Sequence, residues 1–233
     1  MLPRWEELPK YMQNKEVKAY YDLLVVRKKS LILKRIFDVV AALILLVLLL
    51  PVFLVLVIAI KIDSPGPIFF RQVRITQCGR EFKIFKFRTM VVDAEKLGTQ
   101  VTVKDDIRIT RVGKIIRKYR LDEICQLIDI LRGTMSFVGT RPEVPKYVQQ
   151  YTPEMLATLL LPAGVTSKAS IYYRDEDEIL ASASDADRTY IEEILPQKMR
   201  YNLEAIKEFS ILQEIKIMLK TVFAVMGKNY KKC

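Results

Sequence analysis

The segment VVAALILLVLLLPVFLVLVIAI, residues 39–60, runs for 22 residues without a charge. As a helix it would be about 33 Å long, enough to cover the hydrocarbon core of a bilayer. A buried helix of a soluble core is seldom so long and so uniformly apolar. A cleaved signal peptide fits poorly, because a mixed and charged stretch of 38 residues precedes the segment. The segment therefore reads as inserted in a membrane. Arg27, Lys28, Lys29, Lys34 and Arg35 lie on one side of it, and Lys61, Arg71 and Arg74 on the other. Basic flanks favour the cytoplasmic side, so both ends are drawn to the same face. Pro51, near the middle, lacks a backbone donor and clashes with the preceding turn. A single bent crossing is one reading. A helix-break-helix hairpin that enters and leaves by one face fits the charges better.

The rest of the chain is basic, with 38 Lys and Arg against 27 Asp and Glu. Such a balance points to anionic partners: phosphorylated metabolites, nucleic acid or acidic lipid. No recognised nucleic-acid module appears, and the basic residues interleave with acids instead of forming a stripe. There is no histidine, which removes the usual general base and the commonest metal ligand. Cys78, Cys125 and Cys233 are scattered, odd in number and without CxxC spacing, so neither a disulfide framework nor a zinc site is indicated.

After Lys61 the stretch DSPGP (63–67) ends the helical run, since neither proline can continue the ladder. IFFRQVRI and EFKIFKFRTM then flank TQCG, the pattern of a β-hairpin. Lys83 reads as part of a solvated strand face. Lys86 and Arg88, where the strand gives way to a loop, are better placed for an anion. Asp105 and Asp106 read as cap or turn residues, and Ile115, Ile116 and Tyr119 as a short helix. Leu121, Ile124, Leu127, Ile128 and Leu131 recur at helical spacing up to Gly133, a candidate C-cap. Asp122 and Glu123 then fall in the first turn of that helix, where acids are favoured on dipole grounds alone. SFVGTRPEVP (136–145) reads as a loop holding Arg141 between Gly139 and Pro142, a setting suited to bidentate phosphate recognition. From Tyr151 the chain reads as helix, then PAGVTSKASIYYR as a turn into a possible strand, then the acidic stretch Asp175–Glu178. Leu203, Ile206, Phe209, Leu212, Ile215, Leu219 and Val222 make one apolar stripe before the basic tail KNYKKC. That stripe suits either a core helix or an interfacial helix on anionic lipid.

KRIFDVVAALILL (34–46), SPGPIFFRQVRI (64–75), FKIFKFRTM (82–90), DDIRITRVGKIIRK (105–118), LDEICQLIDILRGTMSFVGTRP (121–142) and, more weakly, PAGVTSKAS (162–170) closely resemble the bacterial sugar transferases known as monotopic phosphoglycosyl transferases. The resemblance implies an α/β fold, mostly helical with a small β-hairpin. In it a re-entrant membrane hairpin lies beneath a cytoplasmic catalytic body with interfacial amphipathic helices. It implies transfer of a sugar 1-phosphate from a UDP-sugar to a polyprenyl phosphate, with release of UMP. Asp122 would be the nucleophile that carries a covalent phosphosugar, and Glu123 would help bind Mg²⁺. Lys86, Arg88, Arg108, Arg111 and Arg141 map onto the family's basic loops and would meet phosphates. Physical chemistry agrees, since a carboxylate nucleophile is ionised at neutral pH and needs no general base.

Ile107 and Thr140 stand where the family often has proline, and AGVTSKAS replaces the commoner PGITG form. Ser167 and Lys168 thus alter a loop that bears on the choice of sugar. The expected organisation is an N-terminal cytoplasmic or interfacial segment (1–33), the hairpin (34–62), the catalytic core (63–170) and a C-terminal helical extension (171–233). The expected site of action is the cytoplasmic face of a bacterial inner membrane, in surface polysaccharide synthesis, as a short form of the family. The rival readings are a membrane-bound phosphohydrolase using Asp122, and a non-catalytic basic scaffold.

Overall fold

The computed structural model describes residues 2–94, 106–173, 176–181, 183 and 185–225. Asp105, Asp175, the side chains of residues 177 and 178 and the tail 228–233 lie outside the described set.

Helix α1 (Lys15–Val26) is capped by Asn14, whose side chain accepts from the Val17 amide at 2.8 Å. It leads through Arg27 into α2 (Lys28–Leu48), which gives way at Leu49 to α3 (Leu50–Asp63). The axes of α2 and α3 diverge by 61°. Pro51 sits in the first turn of α3, where a missing N–H is tolerated, while its ring prevents α2 from running straight on. Among the described residues no single helix is long and apolar enough to cross a membrane; only the bent pair, taken together, meets that length and composition. One surface of the pair leaves Ile36, Val40, Leu43, Leu54, Val55 and Ile58 more than half exposed. Ala42, Leu56 and Ile60 are buried against the body.

The basic residues at the start of the bent pair also make specific contacts. Arg35 donates to the carbonyls of Ile130 at 2.7 Å and Leu131 at 3.3 Å, and Arg27 donates to the Lys207 carbonyl at 2.7 Å. Each neutralises the negative end of a helix. Lys34 is buried and pairs with Glu214.

Strands β1 (Phe69–Ile75) and β2 (Glu81–Phe87) form the expected antiparallel hairpin, with Phe69 opposite Phe87 and Ile75 opposite Glu81. Its turn uses left-handed backbone at Cys78 and Gly79. Ile84 and Phe87 are buried and Lys83 is exposed. Helix α4 (Arg111–Lys118) follows, capped by the Thr110 hydroxyl.

The helix expected from Leu121 begins later. Arg120 takes a left-handed φ of 55°, and residues Leu121–Glu123 form a single 3-10 turn. Helix α5 (Gln126–Arg132) then ends at Gly133, whose φ of 82° makes it the expected C-cap. Bonds of i to i+3 type, such as Ile124 N to Leu121 O and Leu127 N to Ile124 O, keep the entry tight. The dyad is therefore on a tight turn ahead of the helix, not in its first turn.

Two further expectations change. SFV, read as loop, lies within strand β3 (Met135–Val138). After β3 the chain makes α6 (Pro145–Val148), and the helix expected from Tyr151 is a 3-10 segment, Met155–Leu160. β4 (Ala163–Thr166) pairs parallel to β3, with Met135 opposite Ala163. PAGVTSKASIYYR, read as a turn into a possible strand, thus has its strand first, in β4, and then helix α7 (Lys168–Tyr172), which the Ser167 hydroxyl caps by accepting from the Ser170 amide at 3.0 Å.

Short helices α8 (Glu176–Ala181) and α9 (Ala186–Thr189) precede α10 (Leu195–Lys207) and α11 (Ile211–Val225). The single apolar stripe of the sequence breaks between these last two. Leu203, Ile206 and Phe209 are buried with Met12, Tyr20, Leu24 and Leu160 in one core. That core joins residues that precede α2 to residues of α10 and the turn after it. Leu212, Leu219 and Val222 of α11 are more than half exposed, while Ile217 and Ala224 pack on Val138 and Ile171. The fold is α/β and mostly helical, with two small two-stranded sheets among the described residues.

Candidate active site

Three chain segments converge on the acidic pair. β2 delivers Lys86, the 3-10 turn carries Asp122 and Glu123, and the loop after β3 carries Arg141. Asp129 of α5 locks the first two together by accepting from the Phe85 amide at 2.8 Å. The third is held by a close approach of backbones. A Cβ on Gly164 would lie 2.2 Å from the Gly139 amide nitrogen, so only glycine lets β4 sit against the start of the Arg141 loop.

Arg141 grips Glu123 in a forked pair, Nη1 donating to Oε2 at 3.2 Å and Nη2 to Oε1. Lys86 Nζ lies 3.4 Å from Glu123 Oε1 and 3.6 Å from Asp122 Oδ2, so one ammonium serves both carboxylates. Both acids are almost wholly buried. Their environments set them apart. Burial raises the Asp122 carboxyl above its ordinary value, with Lys86 opposing and Glu123 adding to the rise. Burial acts on Glu123 in the same sense, but Arg141 and Lys86 overcome it and hold that carboxyl well below the usual range. Burial lowers Lys86, against the pull of both acids. Asp122 is thus the more basic oxygen donor and Glu123 the fixed anion, the division of labour expected when two adjacent acids have different tasks.

The other expected phosphate ligands have different surroundings. Arg88 is buried and donates to the carbonyls of Ser64 and Pro65 at 2.7 and 2.8 Å, fastening the turn that follows α3. Arg108 is buried against Asp106 and the Ala94 carbonyl. Both border the larger cavity described below, whereas Arg111 is exposed at the start of α4. Two further cations stand around the dyad: Arg117, which borders the cavities on both sides of Asp122, and Arg74, which borders the larger one together with Arg88 and Arg108. Arg74 is partly buried: Nη1 donates to the Pro142 carbonyl at 3.1 Å and Nη2 to Gln72 Oε1 at 2.7 Å, while the buried Nε lacks a hydrogen-bond partner. No sequence signal marks Arg117, because the left-handed turn at Arg120 that follows α4 is announced by neither glycine nor proline.

Three cavities meet at the pair. One of about 440 Å³ is lined by Phe69, Phe70, Arg74, Lys86, Arg117 and Asp122, among others. A second of about 240 Å³ is bounded by Lys86, Arg117, Arg120, Arg141 and both acids, with Ser170, Tyr173, Glu176 and Lys198 opposite. The third, about 280 Å³ and mostly apolar, reaches Glu123 and Arg141 from between Leu45 of α2, Leu49 at the break, and Ala224 and Val225 of α11. Among the described residues no group of three or more His, Cys, Asp or Glu gathers, so an all-protein metal cage is not built here. The hard oxygens of Glu123 and Asp122, beside space for phosphates, are the pattern Mg²⁺ accepts.

A sequence model of the bacterial sugar transferase family matches residues 29–228. The chain is similar to a UDP-N-acetylgalactosamine-undecaprenyl-phosphate N-acetylgalactosaminephosphotransferase of Aeromonas hydrophila, 35% identical over 197 residues, 83% of this chain and 44% of that protein. A UDP-glucose:undecaprenyl-phosphate glucose-1-phosphate transferase of Escherichia coli K12 is 36% identical, covering 82% of this chain and 40% of its own. A putative undecaprenyl-phosphate N-acetylgalactosaminyl 1-phosphate transferase of Bacillus subtilis is 42% identical over 127 residues, 54% of this chain and 71% of that one. The chain spans less than half the length of the first two of these curated relatives. By the extent of the family match, the chain belongs to the bacterial sugar transferase family.

Proposed function

We propose that this chain transfers a sugar 1-phosphate from a UDP-sugar to a polyprenyl phosphate at a membrane surface, with Asp122 as the nucleophile. One observation carries the reading: Asp122 borders the large cationic cavity and the smaller polar one, while its neighbour Glu123 borders a groove that is apolar and opens beside the hairpin. A nucleotide, a phosphosugar and a lipid chain need three such surroundings around one reacting phosphorus.

In the first step a carboxylate oxygen of Asp122 attacks the β-phosphorus. The bond from that phosphorus to the bridging oxygen breaks, and UMP leaves with its electron pair. In the second, a phosphate oxygen of the lipid attacks the aspartyl phosphosugar, and the acyl phosphate bond breaks to regenerate the carboxylate. Neither step calls for a proton to be removed from the nucleophile, which suits a chain without histidine. Burial makes the Asp122 oxygen more basic and less hydrated, while Lys86 and Arg117 lower the repulsion between carboxylate and diphosphate. Arg141 fixes Glu123, and Glu123 with Asp122 would hold Mg²⁺, which when bound screens phosphate charge. The exposed apolar surface of the α2–α3 pair would seat the chain in one leaflet, bringing the apolar groove to the lipid.

The test is UMP release from UDP-glucose and UDP-N-acetylgalactosamine, with and without undecaprenyl phosphate, for the native chain and Asp122→Asn. The reading expects lipid-dependent release, a phosphosugar adduct on the native chain, and a loss of at least ~10³-fold without the carboxylate. Release that ignores the lipid would indicate a phosphohydrolase. Full activity of the Asn variant would remove Asp122 from the chemistry.

A further inference from the structure

The wall of the smaller cavity that faces the acidic pair comes entirely from the second half of the chain: Ser170 and Tyr173 at α7, Glu176 at α8 and Lys198 on α10. Its chemistry differs from that of the opposite side. Where Lys86, Arg117, Arg120 and Arg141 present cations to phosphate, this wall presents a hydroxyl, a phenol and a carboxylate paired with the Lys198 ammonium, groups that hydrogen-bond to hydroxyl and amide substituents.

The wall is also stiff. Lys198 is buried and holds Glu176 Oε2 at 2.9 Å, Glu143 Oε1 at 3.4 Å and the Tyr190 hydroxyl at 2.9 Å. Tyr190 in turn donates to Glu143 at 2.5 Å. The Tyr173 hydroxyl donates to Gln197 on the helix that bears Lys198. Ser170 shares a 3.0 Å contact with the Ser167 hydroxyl, the cap of α7. Ser167 and Lys168, the residues that set this loop apart in sequence, do not line the cavity themselves. Ser167 caps the helix, and Lys168 pairs outward with Glu204 at 3.3 Å and Glu208 at 3.6 Å. Their effect is to start α7 where Ser170 and Tyr173 fall on the cavity.

We infer that Ser170, Tyr173 and Glu176 form the subsite for the hexose of the nucleotide sugar and decide which hexose is accepted, with Lys198 as the positioning residue that aims Glu176. The inference rests on the proposed transfer reaction. With the β-phosphate at Asp122 and the nucleotide in the larger cavity, the sugar attached to that phosphate falls in the 240 Å³ cavity. Glu176 sits where a carboxylate can accept from a sugar hydroxyl or an acetamido N–H, and Ser170 where a hydroxyl can donate or accept. A site that hydrogen-bonds a substituent rejects a donor lacking it, because its own polar groups are then left unpaired.

The test compares kcat/KM for UDP-glucose, UDP-N-acetylglucosamine, UDP-galactose and UDP-N-acetylgalactosamine, with undecaprenyl phosphate, in the native chain, Glu176→Gln and Ser170→Ala. Inhibition by UDP, which lacks the transferred hexose, is measured alongside. The expected result is a change of about tenfold or more in the ratio between donors for at least one variant, with the UDP inhibition constant unaltered. A variant that slows every donor by one factor, or that weakens UDP equally, overturns the subsite while leaving the transfer reaction standing. A native chain that turns over none of the four overturns both.

Discussion

Arg141 and Glu123 form a two-pronged ion pair in which the guanidinium meets both carboxylate oxygens from a loop 18 residues further along the chain. The pair fixes the plane of Glu123, and Lys86 completes the ring of charge by reaching both Glu123 and Asp122. Geometry of this kind depends on the planar fork and not on charge alone.

Arg141→Lys tests that dependence. Lysine keeps the charge but makes a point contact, so Glu123 loses one charge-assisted hydrogen bond. A bond of that kind is worth about 1.5–3 kcal/mol, and the expected fall in kcat/KM is roughly tenfold to a hundredfold. UMP release reads the activity, and a single cooperative melt whose midpoint falls by no more than roughly 10 °C shows that the fold is kept. Native rates in the Lys variant would mean that the fork is dispensable.

The buried cluster of Glu143, Lys198 and Tyr190 gives a pH dependence to stability. Burial raises Glu143, but Lys198 and Arg74 outweigh it and hold the folded carboxyl below its ordinary value. A depressed folded value means stability that is fully present above the unfolded value of about 4.3 and lost as pH falls below it. The melting temperature of the native chain should therefore drop more steeply on acidification than that of Glu143→Gln. The Gln variant starts less stable near neutrality, since it leaves Lys198 without that partner, and the gap between the two should close as pH falls. Parallel melting curves from pH 7 to pH 3 would show that the carboxylate contributes nothing through its charge.

The parts of this architecture carried by local pattern were legible in the sequence. The uncharged run, Pro51 and the basic flanks give the bent helix pair, because hydrophobic length and a missing donor act within a few residues. Alternation around TQCG gives the β1–β2 hairpin, and Gly133 the end of α5. The start of α5 was hidden because Arg120, with no glycine or proline to advertise it, takes the left-handed turn. The apolar stripe from Leu203 to Val222 keeps its period through a break at Ser210, so pattern alone joins a buried helix to an exposed one. Cations were the hardest to place. Arg88 reaches Ser64 and Pro65, and Arg108 reaches back two residues to Asp106, while Arg117 and Arg74 reach the neighbourhood of Asp122. An arginine's spacing does not say which anion folding will bring to it.

The bent pair makes a prediction about topology. Lys29 before the bend and Lys83 beyond it are both exposed. If α2 and α3 dip into one leaflet and return, both positions lie on the cytoplasmic side, as their basic neighbours favour. Lys29→Cys and Lys83→Cys, each in a chain whose Cys78, Cys125 and Cys233 are serine, should resist a membrane-impermeant thiol reagent in intact cells and react once the membrane is opened. Pro51→Ala restores the missing donor and removes the clash with the carbonyl of Val47, which weakens the bend. In that background a fraction of chains should straighten into a full crossing, exposing one of the two cysteines to external reagent. External labelling at either site with Pro51 intact would reject the one-faced hairpin, since a crossing segment must leave its ends on opposite sides.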